Sequence, residues 1–146
     1  MQVDFYQLTR DPADKVLTAL APKILSDGGR LLVVSADEAQ LSAISAALWN
    51  AKPESFLANA IADGGEGDAV QPVLLSFEAE ASNGARFIAL ADGEWRDAAL
   101  GFDRAFYLFA PESTDNARAA WRALGESEDV ERKYWKQDGG RWVQGP

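Results

Sequence analysis

Four consecutive aliphatic residues, Leu31-Leu32-Val33-Val34, stand between two stretches that carry apolar residues every three or four positions. A run that short and that uniformly apolar is the pattern of a strand covered on both faces, a condition met mainly in parallel sheets. The flanking stretches read as helices. In the first, Asp11-Pro12 predicts a start with Asp11 as N-cap and Pro12 at the first helical position; Val16, Leu17, Leu20 and Ile24 carry the apolar stripe, and Gly28-Gly29 the stop. In the second, Ser35-Ala36-Asp37-Glu38 fits a capping box, and Leu41, Ile44 and Leu48 form the stripe. A buried strand alternating with amphipathic helices predicts parallel crossovers, hence the α/β class.

The rest of the chain keeps this pattern more loosely. Val3, Phe5 and Leu8 predict an opening strand; Val73 to Phe77, Arg86 to Leu90 and Ala105 to Phe109 predict three more. Ala117, Ala120, Trp121 and Leu124 mark a last helix, capped near Ser113 or Thr114. Lys133 to Gln137, the turn Asp138-Gly139-Gly140, and Arg141 to Val143 then read as strand, turn and short strand. The stretch Asp63-Gly64-Gly65-Glu66-Gly67-Asp68 is expected to be a flexible loop. With 146 residues the expectation is a single domain spanning 1–146, a size that buries roughly 68–70% of its unfolded surface without help from metal or disulfide.

The chain contains no Cys and no His, which removes thiol nucleophiles, disulfides, His- or thiolate-based zinc sites and imidazole acid–base chemistry. No apolar run approaches the ~18–20 residues of a membrane span, and acidic Asp4 stands where a signal peptide would be basic, so a cytoplasmic protein without membrane contact is expected. The glycine-rich stretches lack the spacing and context of a phosphate-binding loop, and no cofactor is expected. Charge is uneven: the net is −9, yet the segment from Arg132 to Pro146 carries +3 against −12 for the remainder. Such a background repels nucleic acid and leaves the basic C-terminus as the place for an acidic ligand.

Three groups of residues are candidate sites. Asp37 and Glu38, with Asp92 and Glu94, would sit at strand ends, where carboxylates can hold magnesium; the plainer reading is that acids in a first helical turn answer the helix dipole. Trp49, Pro53 and Phe56 fall where a helix gives way to an irregular segment, as a cap on the core or as an exposed anchor for a partner. Arg132, Lys133 and Lys136 lie beside Tyr134, Trp135 and Trp142, and Arg118 and Arg122 share a face of the preceding helix. Cations beside aromatic surface suit a short acidic peptide with an apolar end. The alternatives are an edge strand guarded by Lys and Arg, or stacking of single-stranded nucleic acid on the same rings.

Asp4-Phe5-Tyr6, Leu48-Trp49 followed by Pro53-Glu54-Ser55-Phe56, Phe102-Asp103-Arg104-Ala105-Phe106, and Tyr134-Trp135-Lys136 together give the chain its resemblance to the chi subunits of bacterial DNA polymerase III. The resemblance implies a single Rossmann-like α/β domain, with a mostly parallel central sheet and helices on both faces. It also implies a non-catalytic accessory subunit without nucleotide chemistry. Such a subunit bridges the acidic, Phe-ending C-terminal tail of the single-stranded DNA-binding protein to the psi subunit of the clamp loader, and meets DNA only indirectly. Carried onto this chain, Arg118, Arg122, Arg132, Lys133, Trp135 and Lys136 are the tail-site residues, while Trp49, Pro53 and Phe56 form the surface facing psi or a repair helicase. The rivals are a magnesium-dependent carboxylate enzyme and a direct single-stranded DNA binder.

Overall fold

The computed structural model describes residues 1–9, 11–50, 57–138 and 141–145. Among these residues eight strands form one sheet: β1 (Gln2–Gln7), β2 (Leu31–Val34), β3 (Asn59–Ile61), β4 (Val73–Ser76), β5 (Phe87–Leu90), β6 (Arg104–Phe109), β7 (Glu131–Asp138) and β8 (Arg141–Gln144). Their spatial order is β3-β4-β2-β5-β6-β1-β7-β8. Every pairing is parallel except β7 with β8. All four residues of β2 are fully buried between β4 and β5, as uninterrupted apolarity requires.

Among the described residues three α-helices cover the two faces: α1 (Ala13–Ser26), α2 (Glu38–Asn50) and α3 (Thr114–Leu124). Strand alternation divides the core between them. Leu31, Val33, Val73 and Leu75 pack under α1 and α2, while Val3, Phe5, Tyr107 and Phe109 pack on the opposite side with Ala117, Ala120 and Leu124 of α3. The α/β class and helices on both faces are as expected.

Three local expectations are corrected. Pro12, not Asp11, is the N-cap of α1, because the freed Asp11 carboxylate is taken by Lys15 at 3.3 Å and by the Gln137 amide at 2.8 Å. Asp37, not Ser35, caps α2: its Oδ1 accepts from the Ala39 and Gln40 amides at 3.0 and 3.4 Å, and Ser35 Oγ instead accepts from the Asp37 amide and bonds Gln40 Oε1. The stretch 63–68 leads into a 3-10 helix, Glu66–Val70; its organiser is buried Asp68, which accepts from the amides of Asp63 and Gly64. The predicted stop of α1 stands: Gly28 adopts φ +82, and the Gly28 and Gly29 amides close the helix on Leu25 and Ile24.

Asp4 is fully buried among the described residues. Asp4 in β1 accepts from the Arg104 guanidinium, with Nε at 2.8 Å and Nη2 closer still, and from Gln2 Nε2 at 2.8 Å. Two of the motifs behind the family resemblance, one around Asp4 and the other around Arg104, therefore meet across paired strands.

Candidate functional site

Beyond the C-terminal ends of β1, β6 and β7, α3 leans over a cavity of about 480 Å³, within the size range of small-ligand sites. Phe109, Ala117, Trp121 and Tyr134 give it apolar walls; Arg118, Arg122 and Lys136 stand at its rim, with Gln7 and Thr114 as neutral polar groups. The register explains the convergence. Gln7 at the end of β1 pairs with Phe109, the end of β6, on one side and with Lys136, near the end of β7, on the other, so the three strands bring these residues to the same level. Helical spacing then places Arg118, Trp121 and Arg122 on the side of α3 that looks over those ends.

The walls are fixed by their neighbours. Trp121 meets Phe5 edge to face at 5.1 Å between centroids and Tyr134 at 5.9 Å; Tyr134 in turn meets Phe109 at 6.0 Å. The Tyr134 hydroxyl donates to Gln7 Oε1 at 2.5 Å. Burial pushes the Tyr134 phenol up, and the charge of Arg118 draws it partway back. The rim is different in kind: Arg118, Arg122 and Lys136 are exposed, and none of the ion pairs among the described residues involves them.

The structure divides the remaining basic cluster. Side chains alternate along β7, so Arg132, Tyr134 and Lys136 face α3 while Lys133 and Trp135 belong to the opposite side. There Trp135 stacks on Tyr6 at 6.4 Å, and Trp142 meets the same ring edge-on at 5.0 Å. Arg132 shares the pocket's side but not its lining: its guanidinium lies 4.3 Å from the centroid of Trp121 and donates to the Trp121 carbonyl at 2.6 Å. Trp49 is 44% exposed at the end of α2, whereas Pro53 and Phe56 lie outside the described residues.

The carboxylates weighed for metal chemistry lie near strand ends, and two of them, Asp37 and Asp92, have structural work. Asp92 accepts from both terminal nitrogens of Arg96, at 2.9 and 2.8 Å, and from the Ala36 amide at 2.9 Å. Burial alone would raise its pKa; the bonds from Arg96, Ala36 and Glu94 and the Arg96 charge outweigh that and hold it low. Asp37 is occupied as a cap. Among the described residues no group of three or more acidic side chains is placed to hold a metal ion.

The pocket residues that sequence reasoning did not place in a candidate group are Gln7, Phe109, Thr114, Ala117 and Trp121. Trp121 had a signal, since it lies three residues after Arg118 and so on the same helical side. Gln7 had none: its place depends on pairing with strands about a hundred residues or more away in sequence.

An open α/β sheet of this order defines a Rossmann-like domain, and its cavity lies at the C-terminal strand ends, where such folds usually bind ligands. The sequence profile of the DNA polymerase III chi subunit, HolC, matches residues 1–129, and the chain belongs to that family. It is therefore an accessory subunit of the replicative polymerase by family. Comparison with individual curated sequences finds no significant match. Among solved structures the chain is similar to the C-terminal domain of S. cerevisiae Dbp5 bound to Gle1 and IP6, with 13% identity over 92% of this chain and 90% of that one and a TM-score of 0.57. A second structure, of the C-terminal domain of the DEAD-box protein Dbp5, gives 12% identity over 90% and 89% with a TM-score of 0.56. At that identity the likeness is one of fold.

Proposed function

We propose that the pocket between α3 and β7 receives the acidic, Phe-ending C-terminal tail of the single-stranded DNA-binding protein, and that the chain is a non-catalytic adaptor between that tail and the clamp loader. The observation that carries this reading is the conjunction, in a chain of net charge −9, of an aromatic-walled cavity with three rim cations that have no carboxylate partner among the described residues. A cavity of this kind can bury one ring, and the rim can meet the acidic residues preceding it. Single-stranded DNA is the poorer fit, because it needs a continuous basic track and the body of this molecule is acidic.

The partner on the clamp-loader side is psi, with Trp49, Pro53 and Phe56 as its surface or that of a repair helicase. Exposure of Trp49 at the end of α2, remote in sequence from α3 and β7, supports a second surface. The adaptor works in the cytoplasm; no helix among the described residues is long and apolar enough to cross a membrane.

Calorimetry with a synthetic acidic peptide ending in Phe tests the tail site. Binding is expected near micromolar, about −8 kcal/mol, and should weaken as salt screens the rim over ~8–10 Å. Removing the terminal Phe should nearly abolish it, since exposed ion pairs alone contribute about 0–1 kcal/mol each. A truncated peptide that binds as well as the full one would sink the proposal.

A further inference from the structure

We infer that Arg132 is a positioning residue for this pocket, holding Trp121 in place as its wall, and is not one of the cations that meet the ligand; the inference rests on the tail-binding reading above. Arg132 touches one residue twice. Its guanidinium covers the Trp121 ring at 4.3 Å, and Nη1 donates to the Trp121 carbonyl at 2.6 Å. Phe5 and Tyr134 also pack against that indole edge to face, so the ring is held by three neighbours. The bonded carbonyl belongs to the last turn of α3, where a cation is favoured by the helix dipole. A guanidinium engaged in this way has less to offer a peptide than Arg118, Arg122 and Lys136, which are exposed at the rim.

Gly125 supplies an independent observation. Its backbone, φ −66 and ψ −17, is ordinary right-handed helix that any residue adopts, so conformation does not call for glycine there. Space does. A Cβ added to Gly125 would lie 2.8 Å from Arg132 Nη1 and 3.0 Å from Cζ, and its three nearest atoms all belong to that guanidinium. The missing side chain of Gly125 is thus the room in which Arg132 reaches the end of α3.

Two substitutions separate positioning from contact, because both preserve the net charge. Arg132→Lys keeps a cation but loses the flat, forked group that can cover a ring and donate to a carbonyl together. Gly125→Ala keeps Arg132 and crowds it off the indole, in a helical position that alanine tolerates well. The probe is the acidic, Phe-ending peptide, with affinity measured at two salt concentrations, alongside the indole N–H resonance of Trp121 in the free protein, assigned by Trp121→Phe. Each variant is expected to weaken binding about fivefold to tenfold, or roughly 1–1.4 kcal/mol, with the salt dependence unchanged and the Trp121 resonance shifted before any peptide is added. Arg118→Gln, the reference for a contacting cation, should instead weaken binding, flatten its salt dependence and leave the indole where it was.

Binding by Arg132→Lys within twofold of the original would overturn the inference, whatever Gly125→Ala does, because charge alone would then suffice. A shifted indole in Gly125→Ala with undiminished binding would overturn it as well. Failure of the pocket reading looks different: peptide binding would be indifferent to Arg118→Glu and Arg122→Glu together, and Arg132 would then position nothing for this ligand. If Arg132→Lys does not fold, Gly125→Ala decides alone.

Discussion

Arg96 and Arg118 both stand above the C-terminal edge of the sheet, yet their surroundings are opposite. Arg96 is clasped by Asp92 through two bonds, and that carboxylate also takes the Ala36 amide at the entrance to α2. Arg118, four residues before Arg122 on α3, faces aromatic walls and has no acid partner among the described ion pairs. In the first cluster charge is consumed inside the fold and ties loop to loop. In the second it is left exposed at the mouth of a cavity, without an ion pair among the described residues. The same kind of residue at the same edge is structural or available according to whether a carboxylate was placed beside it.

The sharpest way to break this contrast is to disturb the closed cluster. Asp92→Ala leaves Arg96 without its partner and strips the Ala36 amide of its acceptor, so unfolding by denaturant should show a loss of about 3 kcal/mol, the scale for breaking a largely buried pair. Peptide affinity of the folded fraction should not change. The pH dependence has a definite sign. The Asp92 pKa is lowered in the folded state, so its contribution is present above the ordinary carboxylate value of 3.8 and is lost as pH falls through the lower folded value.

Tyr107 beside this cluster behaves the other way. Burial first, then the charges of Glu94 and Asp92, push it from 10.0 up to about 12, and its hydroxyl donates to the Gly93 carbonyl at 2.7 Å. Tyr6, raised to about 12 by burial and then by Asp4, adds to the same limb. Their stabilisation is whole below pH 10 and should disappear as pH rises from 10 towards 12, a loss readable as a falling thermal midpoint. A flat midpoint across that window would mean that neither phenol is sequestered.

The open cluster should respond in the opposite currency. Arg118→Glu with Arg122→Glu is expected to weaken the acidic peptide by about 2 kcal/mol or more, some thirtyfold, while stability stays within ~0.5 kcal/mol because both side chains are exposed. If stability falls by several kcal/mol instead, these arginines belong to the fold and the contrast with Arg96 disappears.

How much of this was legible beforehand follows from the range of each interaction. The Leu31 to Val34 strand, the stripes of α1 and α2 and the glycine stop at Gly28 depend on near neighbours, and the sequence pattern carries them. Caps were legible only to within a residue or two, since Asp11 and Ser35 were drawn off by partners elsewhere in the chain, Gln137 and Gln40. Arg118 and Arg122 were legible as a pair by helical spacing. The cavity they border was not, because Gln7, Phe109 and Lys136 come together only through the order of strands in the sheet. The acids Asp37 and Asp92 could be seen, but not the bonds that occupy them.

The smallest expected effect tests the finest division, that between the two sides of β7. In sequence, Lys133 and Lys136 look equivalent, two cations in one basic run with aromatics between them. Pleating separates them: Lys136 shares its side with Tyr134 and lines the cavity, while Lys133 shares its side with Trp135, which stacks on Tyr6 beneath the other face of the sheet. Lys136→Glu should therefore lower peptide affinity by about 1 kcal/mol, the worth of one exposed pair turned to repulsion. Lys133→Glu changes the net charge by the same amount and should alter affinity by no more than a long-range screened term, within about 0.3 kcal/mol at physiological salt. Running both at two salt concentrations separates local contact from overall field, since a field effect fades with salt for either variant alike. Equal losses for the two would mean that the peptide reads the charge of the whole strand and not the pocket at its end.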